Sequence, residues 1–521
     1  MSFLHRLRQL PGALTRPAAL LALLALTPAC GGDDASGYYD ESGDSGGGAG
    51  VGQGGAQDFG LFKQILEDGE IPAPETIDDV GFFNEHKIPL PTPDCGDNVC
   101  LHGLFGQMGN MINGSNCTTV LLGMNTPIDP ALLDRPPLNL ALAIDVSGSM
   151  AGESIYYVRE GLERMLDALD PQDRISLVLF STSAATYTEF VPGDDPDLVN
   201  AINALDASGG TNLYDGLRSA FELAEAHAAD GWQNRVILLS DGVATEGITS
   251  DAKIIEMAAA YNELGLGLTT IGVGTDFDVT LMQTLSEGGS GSFYFLQDPA
   301  AVQEVFVEEV TSFTVPLAEE VTIDVGVSGD YVLRGIYGTK RFEATGNEAQ
   351  ITIPNLQLAH RESVDDNQGG RRGGGGAILL EVLPAKGTVG ADHYVGDLTL
   401  RYRDSLSKEM VEQSLSVDAP IAPEDPGSYF EGASVEKGFV MLNIFMGFQM
   451  AAIRAQAGDD RGALNVLLGL DEAVDGWLAQ NPDADIEDDL KYIRIFIDNL
   501  RARGAEEPPP SQERPEPWPQ D

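Results

Sequence analysis

The chain has 521 residues, 43% of them hydrophobic, enough for two to four packed units rather than one core. Its 30 Lys and Arg stand against 81 Asp and Glu, a formal net charge of −51. That charge repels nucleic acid and anionic membrane surfaces and all but excludes nucleic-acid binding, while it favours solubility and attracts divalent cations.

Residues 1–29 hold His5, Arg6, Arg8 and Arg16, no acid, and then the apolar run PAALLALLAL, the pattern of a signal peptide. Cys30 follows small residues and precedes GGDD, which resembles the bacterial lipobox, whose cysteine is lipidated after cleavage. Thr27 and Pro28 depart from the usual Leu and Ala or Ser, so cleavage nearby without lipidation is the alternative. An exported, membrane-anchored lipoprotein of the cell envelope is expected. Gly31 offers no Asp-type retention signal, which favours the outer membrane or surface. Residues 30–58 read as a flexible Gly/Ser/Asp tether. Gly50, Gly52 and Gly55 match GxGxxG only through composition, since no strand is expected before them and no helix after.

Residues 59–136 form an N-terminal flank with a short helix in FGLFKQILEDGEIP and an extended stretch, CTTVLLGM. They contain Cys95, Cys100 and Cys117, and in an oxidising compartment one disulfide, most simply Cys95 to Cys100, leaves one thiol over. Zinc on Cys95, Cys100, His102 and Cys117 is the alternative, at a spacing that matches no common ribbon or finger.

Residues 137–317 alternate apolar strands (LNLALAID, RISLVLFST, RVILLSD, LTTIGVG, SFYFLQ) with amphipathic helices, and ATYTEFV reads as an antiparallel edge. Near-continuous hydrophobic strands separated by helices predict a mostly parallel sheet covered on both faces. Residues 318–430 read as a β-rich domain interrupted by DDNQGGRRGGGG, whose Arg371 and Arg372 belong to a solvated loop. Residues 431–504 carry three helical patterns, the first a core helix rather than a membrane span because it includes Asn443 and Gln449. Residues 505–521 are a Pro-rich acidic tail.

One apolar strand, ALAIDVSGSM, ends in Asp145, Ser147 and Ser149, where an open sheet binds its ligands. No His or Lys lies near them in sequence to activate a nucleophile, but three oxygen side chains make a partial cage for a hard cation. Thr211 heads a helix in SGGTNLYDGL, and Asp241 ends another strand in VILLSDGVAT. Together these segments resemble the von Willebrand factor A (VWA) domain, whose metal-ion-dependent adhesion site uses D-x-S-x-S, a later Thr and a later Asp. The resemblance implies a Rossmann-like α/β fold and a metal site at Asp145, Ser147, Ser149, Thr211 and Asp241, with the hydroxyls binding the metal directly or nearly so and the carboxylates largely through water.

Two carboxylates roughly neutralise a divalent ion, which leaves it attractive to an Asp or Glu of a protein partner. Mg²⁺ is the expected cofactor, and Mn²⁺ or Ca²⁺ suits the same oxygen set. The flanks look like bacterial VWA lipoproteins, in which β segments before and after the VWA domain pair into one sandwich. The expected architecture is an α/β VWA domain, a β-rich sandwich-like domain and a C-terminal helical region. The expected role is an adhesion or assembly module and not an enzyme, since the sequence has no HExxH and no Walker A motif, and its one GxSxG match, Gly43 to Gly47, falls in the low-complexity tether. The alternatives are an envelope scaffold whose β-rich and helical domains carry the interface and, more weakly, a metal-dependent hydrolase.

Overall fold

The computed structural model describes residues 49–53, 59–114, 116–128, 136–241, 243–274, 278–296, 316–358, 376–385, 394–419 and 428–506. The signal segment, Cys30, most of the tether, the loop with Arg371 and Arg372 and nearly all of the Pro-rich tail lie outside the described residues.

The described chain begins with β1 (Ala49–Gln53), followed by α1 (Gly60–Glu67), α2 (Asp79–Asn84) and the long strands β2 (Cys100–Gly109) and β3 (Asn116–Thr126). β1 corrects the sequence reading, which gave residues 30–58 wholly to a tether. Glycine offers no side chain to pack, so composition gave no hint of this strand, and its backbone ladder holds it instead. Ala49 and Gly50 pair with Thr126 and Asn125, and Val51 to Gln53 pair with Leu358 to Leu356. Val51 is its buried apolar anchor. The GxGxxG match stays accidental, because Gly50 and Gly52 lie inside the strand rather than in a turn between strand and helix.

The α/β unit follows as β4 (Leu138–Asp145), α3 (Glu153–Asp167), β5 (Arg174–Phe180), β6 (Ala184–Val191), α4 (Pro196–Asn203), α5 (Leu213–Ala226), β7 (Gln233–Ser240), α6 (Asp251–Asn262), β8 (Gly267–Val273), α7 (Val279–Gly288) and β9 (Ser290–Leu296). The strand order is β6-β5-β4-β7-β8-β9, parallel throughout except for the predicted antiparallel edge β6. Every residue of the central β4 is buried. Its alternate side chains feed two cores, Leu138, Leu140, Leu142 and Ile144 on the α3 and α4 side, and Ala141 and Ala143 on the side of α5, α6 and α7. The sequence reading missed α4 and α7, which are short; their signals were the carboxylates of Asp195 and Asp278, which cap the first backbone N–H groups.

Beyond it lie β10 (Pro316–Val327), β11 (Tyr331–Tyr337), β12 (Phe342–Thr345), β13 (Glu348–Leu358), β14 (Ile378–Pro384), β15 (Tyr394–Asp404), β16 (Met410–Asp418) and β17 (Tyr429–Phe430). β14 pairs antiparallel with β3, so segments from both sides of the α/β unit share one sheet and the unit is inserted in a sandwich. One layer holds β11, β14, β3, β2 and β17; the other holds β12, β13, β10, β15 and β16, and β1 pairs into both. Val120, Leu122, Ile323, Ile351, Leu380 and Leu400 fill the space between them.

α8 (Ala433–Gln456), α9 (Asp460–Leu478) and α10 (Ala484–Arg503) join α1 and α2 over the first layer, around Phe62, Phe82, Phe448 and Phe496. α8 is long and apolar enough to cross a membrane, but 72% of its most apolar window is buried inside the protein, as the core-helix reading expects. Asn443 fits there because its amide donates to the Phe439 carbonyl at 2.8 Å and its oxygen accepts the Met111 N–H at 3.0 Å.

Cys95 and Cys100 form a disulfide and Cys117 is a buried free thiol. The zinc alternative fails: Cys100 and Cys117 pair with opposite ends of the β2–β3 ladder, at Asn125 and Met108, and His102 Nε2 is bonded to Asn125 Oδ1 at 2.8 Å.

Candidate metal centre

β4 and β7 are parallel neighbours in the middle of the sheet and end together. Asp145 is the last residue of β4, and Asp241 follows Ser240, the last of β7. Parallel pairing thus places two carboxylates on one rim. Asp145 is fully buried; its Oδ1 accepts the Ser147 N–H at 2.8 Å and its Oδ2 accepts the Ser240 hydroxyl at 2.6 Å. The Ser147 and Ser149 oxygens lie 3.0 Å apart, and the Ser149 hydroxyl donates to Asp241 Oδ1 at 2.8 Å. Four of the five expected residues therefore form one hydrogen-bonded chain. Ser149 is exposed, so the chain opens to solvent there.

Thr211 lies in the adjoining loop. Its N–H donates to Thr245 Oγ1 at 2.9 Å, and its carbonyl accepts from the N–H groups of Thr245 at 2.9 Å and Glu246 at 3.1 Å. That ties the Thr211 loop to the loop after Asp241. The same loop braces the serine turn, because Gly148 N–H donates to the Gly209 carbonyl at 3.0 Å and Ser208 N–H to the Val146 carbonyl at 2.8 Å. Gly209 has φ +87°, and a Cβ there would stand 2.8 Å from Thr182 Oγ1, so both conformation and space call for glycine. Sequence reasoning missed Ser240 and Thr245; their signal was a hydroxyl residue flanking each end of the Asp241 segment.

Burial raises the Asp145 carboxyl above the usual carboxylate range, and the nearby Asp241 charge adds to it, while the Ser240 and Ser147 hydrogen bonds oppose the rise. Two desolvated carboxylates beside hydroxyl oxygens are a donor set for a hard divalent cation. Among the described residues no group of three or more His, Cys, Asp or Glu gathers to hold a metal. The histidines His86, His102 and His227 are bonded elsewhere, to Asp489, Asn125 and Glu189.

Residues 139–308 match the family described as von Willebrand factor type A domain. This segment is a VWA domain. The chain is 28% identical over 195 residues to uncharacterized protein YfbK of Escherichia coli (strain K12), a match covering 37% of this chain and 34% of that protein. It is 23% identical over 342 residues to uncharacterized protein sll0103 of Synechocystis sp., covering 64% of this chain and 77% of that one. It is also 30% identical over 207 residues to inter-alpha-trypsin inhibitor heavy chain H4 of Homo sapiens, covering 37% and 22%. The chain thus spans about a third of the E. coli relative and under a quarter of the human one. Among solved structures, the von Willebrand factor type A protein from Catenulispora acidiphila superimposes with a TM-score of 0.51 at 15% identity, covering 76% of this chain and 89% of that one. The shared fold therefore extends well beyond the VWA domain, which is itself consistent with a protein-interaction or adhesion module.

Proposed function

We propose that this chain is an envelope-anchored, Mg²⁺-dependent protein-binding module for adhesion or assembly, held to the membrane by a lipid on Cys30. Asp145, Ser147, Ser149, Thr211 and Asp241 would hold the ion, and Mn²⁺ or Ca²⁺ suits the same oxygens. The bound ion supplies a positive centre that takes a carboxylate from an Asp or Glu of the partner. The observation that carries this reading is the hydrogen-bonded chain from Ser240 through Asp145, Ser147 and Ser149 to Asp241, with Ser149 open to solvent. Two carboxylates and neutral hydroxyls leave the ion attractive to an anionic ligand, whereas hydrolysis would need a base that no described histidine supplies here. The export pattern of residues 1–29 and the lipobox-like Cys30 support envelope anchoring, and Gly31, which offers no Asp-type retention signal, favours the outer membrane or surface.

Affinity capture from envelope extract in Mg²⁺, in EDTA and with Asp145→Ala tests the reading. A partner held only by wild type in Mg²⁺ supports the clamp. A partner that survives both controls moves the interface to the sandwich and helices, as a scaffold would have it.

A further inference from the structure

Among the described residues, the apolar seam between the VWA domain and the rest of the protein is narrow. Residues 138–296 build two apolar clusters, and among the described residues Leu61 and Ile65 of α1 are the only side chains from outside that range that join either. They stand four positions apart, on one stripe of an eight-residue helix that lies against β9. The cluster they enter holds Phe293 and Phe295 of β9 and Leu281 and Leu285 of α7.

The rest of α1 belongs to the body. Phe62 and Leu66 lie in the helical core, with the Phe62 ring 4.8 Å from that of Phe448 and 6.4 Å from that of Phe496. Polar groups bind α1 to the same side: Glu67 accepts the Tyr492 hydroxyl at 2.8 Å, the Leu66 carbonyl accepts from Asn499 at 2.8 Å, and Lys63 is ion-paired with buried Glu85. β9 is an edge strand, two places from β7 and three from β4, the strands that carry the candidate metal site.

We infer that α1 is a fixed part of the sandwich-and-helix body and that the VWA domain docks on it reversibly through Leu61 and Ile65. The VWA domain is an insertion, joined to the body by one chain connection on each side, so it keeps its own sheet and both its cores when the seam opens. Opening changes the angle between the metal-site rim and the body while leaving that rim intact. This holds whether or not a metal occupies the site.

Small-angle scattering and amide hydrogen exchange on the full chain test the inference, comparing wild type, Leu61→Asp and Phe62→Ala. Leu61→Asp is expected to enlarge the radius of gyration and to speed exchange at least tenfold in α7 and β9, with β4, β7, β3 and β10 as protected as in wild type. Phe62→Ala is expected to loosen α8 and α10 and leave the VWA strands protected. Unchanged scattering and exchange in Leu61→Asp would overturn the inference. So would loss of protection throughout the chain, or the same pattern from both variants, since α1 would then be an interior piece of one indivisible core.

Discussion

The Ser149 hydroxyl donates to the Asp241 carboxylate at 2.8 Å across 92 residues of sequence. Parallel pairing of β4 with β7 is what brings the two together, because both strands run out at the same rim of the sheet. The bond links the serine turn to the loop after β7, while Asp145, one layer deeper, is held by Ser240 and the Ser147 N–H. A site of this kind carries a stability cost when two buried carboxylates face each other, and a cation offsets it.

Asp145→Asn tests that balance. Asparagine keeps the shape and can still accept from Ser147 and exchange a hydrogen bond with Ser240, but it removes a buried charge. In EDTA its melting temperature is expected to match or exceed that of wild type. Mg²⁺ at millimolar concentration should raise the melting temperature of wild type and leave the variant unmoved, as read by scanning calorimetry. A variant that gains as much from Mg²⁺ as wild type would move the metal elsewhere.

Gly209→Ala should weaken the site without touching a carboxylate. The residue sits at φ +87° with its would-be Cβ 2.8 Å from Thr182 Oγ1, and its carbonyl receives the Gly148 N–H. We expect a loss of about 1–3 kcal/mol in stability by urea titration and roughly tenfold weaker Mn²⁺ binding by calorimetry, because the strain falls on the loop that positions Thr211.

A buried hydrogen-bonded pair ties the flank to the last helix. His86 is fully buried, with Nδ1 2.7 Å from the Phe82 carbonyl and Nε2 2.7 Å from Asp489 Oδ2. Asp489→Ala leaves a buried imidazole nitrogen without its partner and is expected to cost about 1–3 kcal/mol in urea unfolding. Asp498→Ala, which removes the exposed partner of Arg501, should leave the midpoint where it was.

Thiol counting checks the cysteines. Burial, reinforced by the Glu381 charge, pushes the Cys117 thiol well above its ordinary range, and Cys95 and Cys100 are bonded to each other. In a Cys30→Ser chain, a disulfide-exchange reagent should find no reactive thiol in the native protein and a single one in guanidinium. Prior reduction should raise the denatured count to three and lower stability by about 2 kcal/mol, the value for so short a loop.

Val51→Ala probes the strand that composition concealed. Val51 is the buried side chain of β1, which pairs into both layers of the sandwich. We expect a loss of about 2 kcal/mol in urea unfolding. No loss would return residues 49–53 to the tether.

Much of the fold could be read from the chain. The α/β order, the antiparallel edge at residues 184–191 and the interior placement of α8 follow from hydrophobic period and run length, which are local properties. The D-x-S-x-S turn, Thr211 and Asp241 were legible for the same reason, since each stands at the end of an element that its neighbours define. What stayed hidden depended on partners far away. β1 is invisible because Gly50 and Gly52 carry no pattern, and Ser240 became part of the site only when β7 settled beside β4.

By itself, then, the sequence determined which segments are strands and helices, which carboxylates and hydroxyls end them, and that Cys95 is the simplest partner for Cys100. Tertiary structure alone decided the rest: that β3 and β14 close one sheet around the VWA domain, that α1 lends Leu61 and Ile65 to one core and Phe62 to another, and that Asp145 is desolvated beside Asp241. The division is physical. Local order is encoded in the spacing of apolar residues along one segment, whereas pairing, burial and the field at a carboxylate are set by atoms that only folding brings within reach.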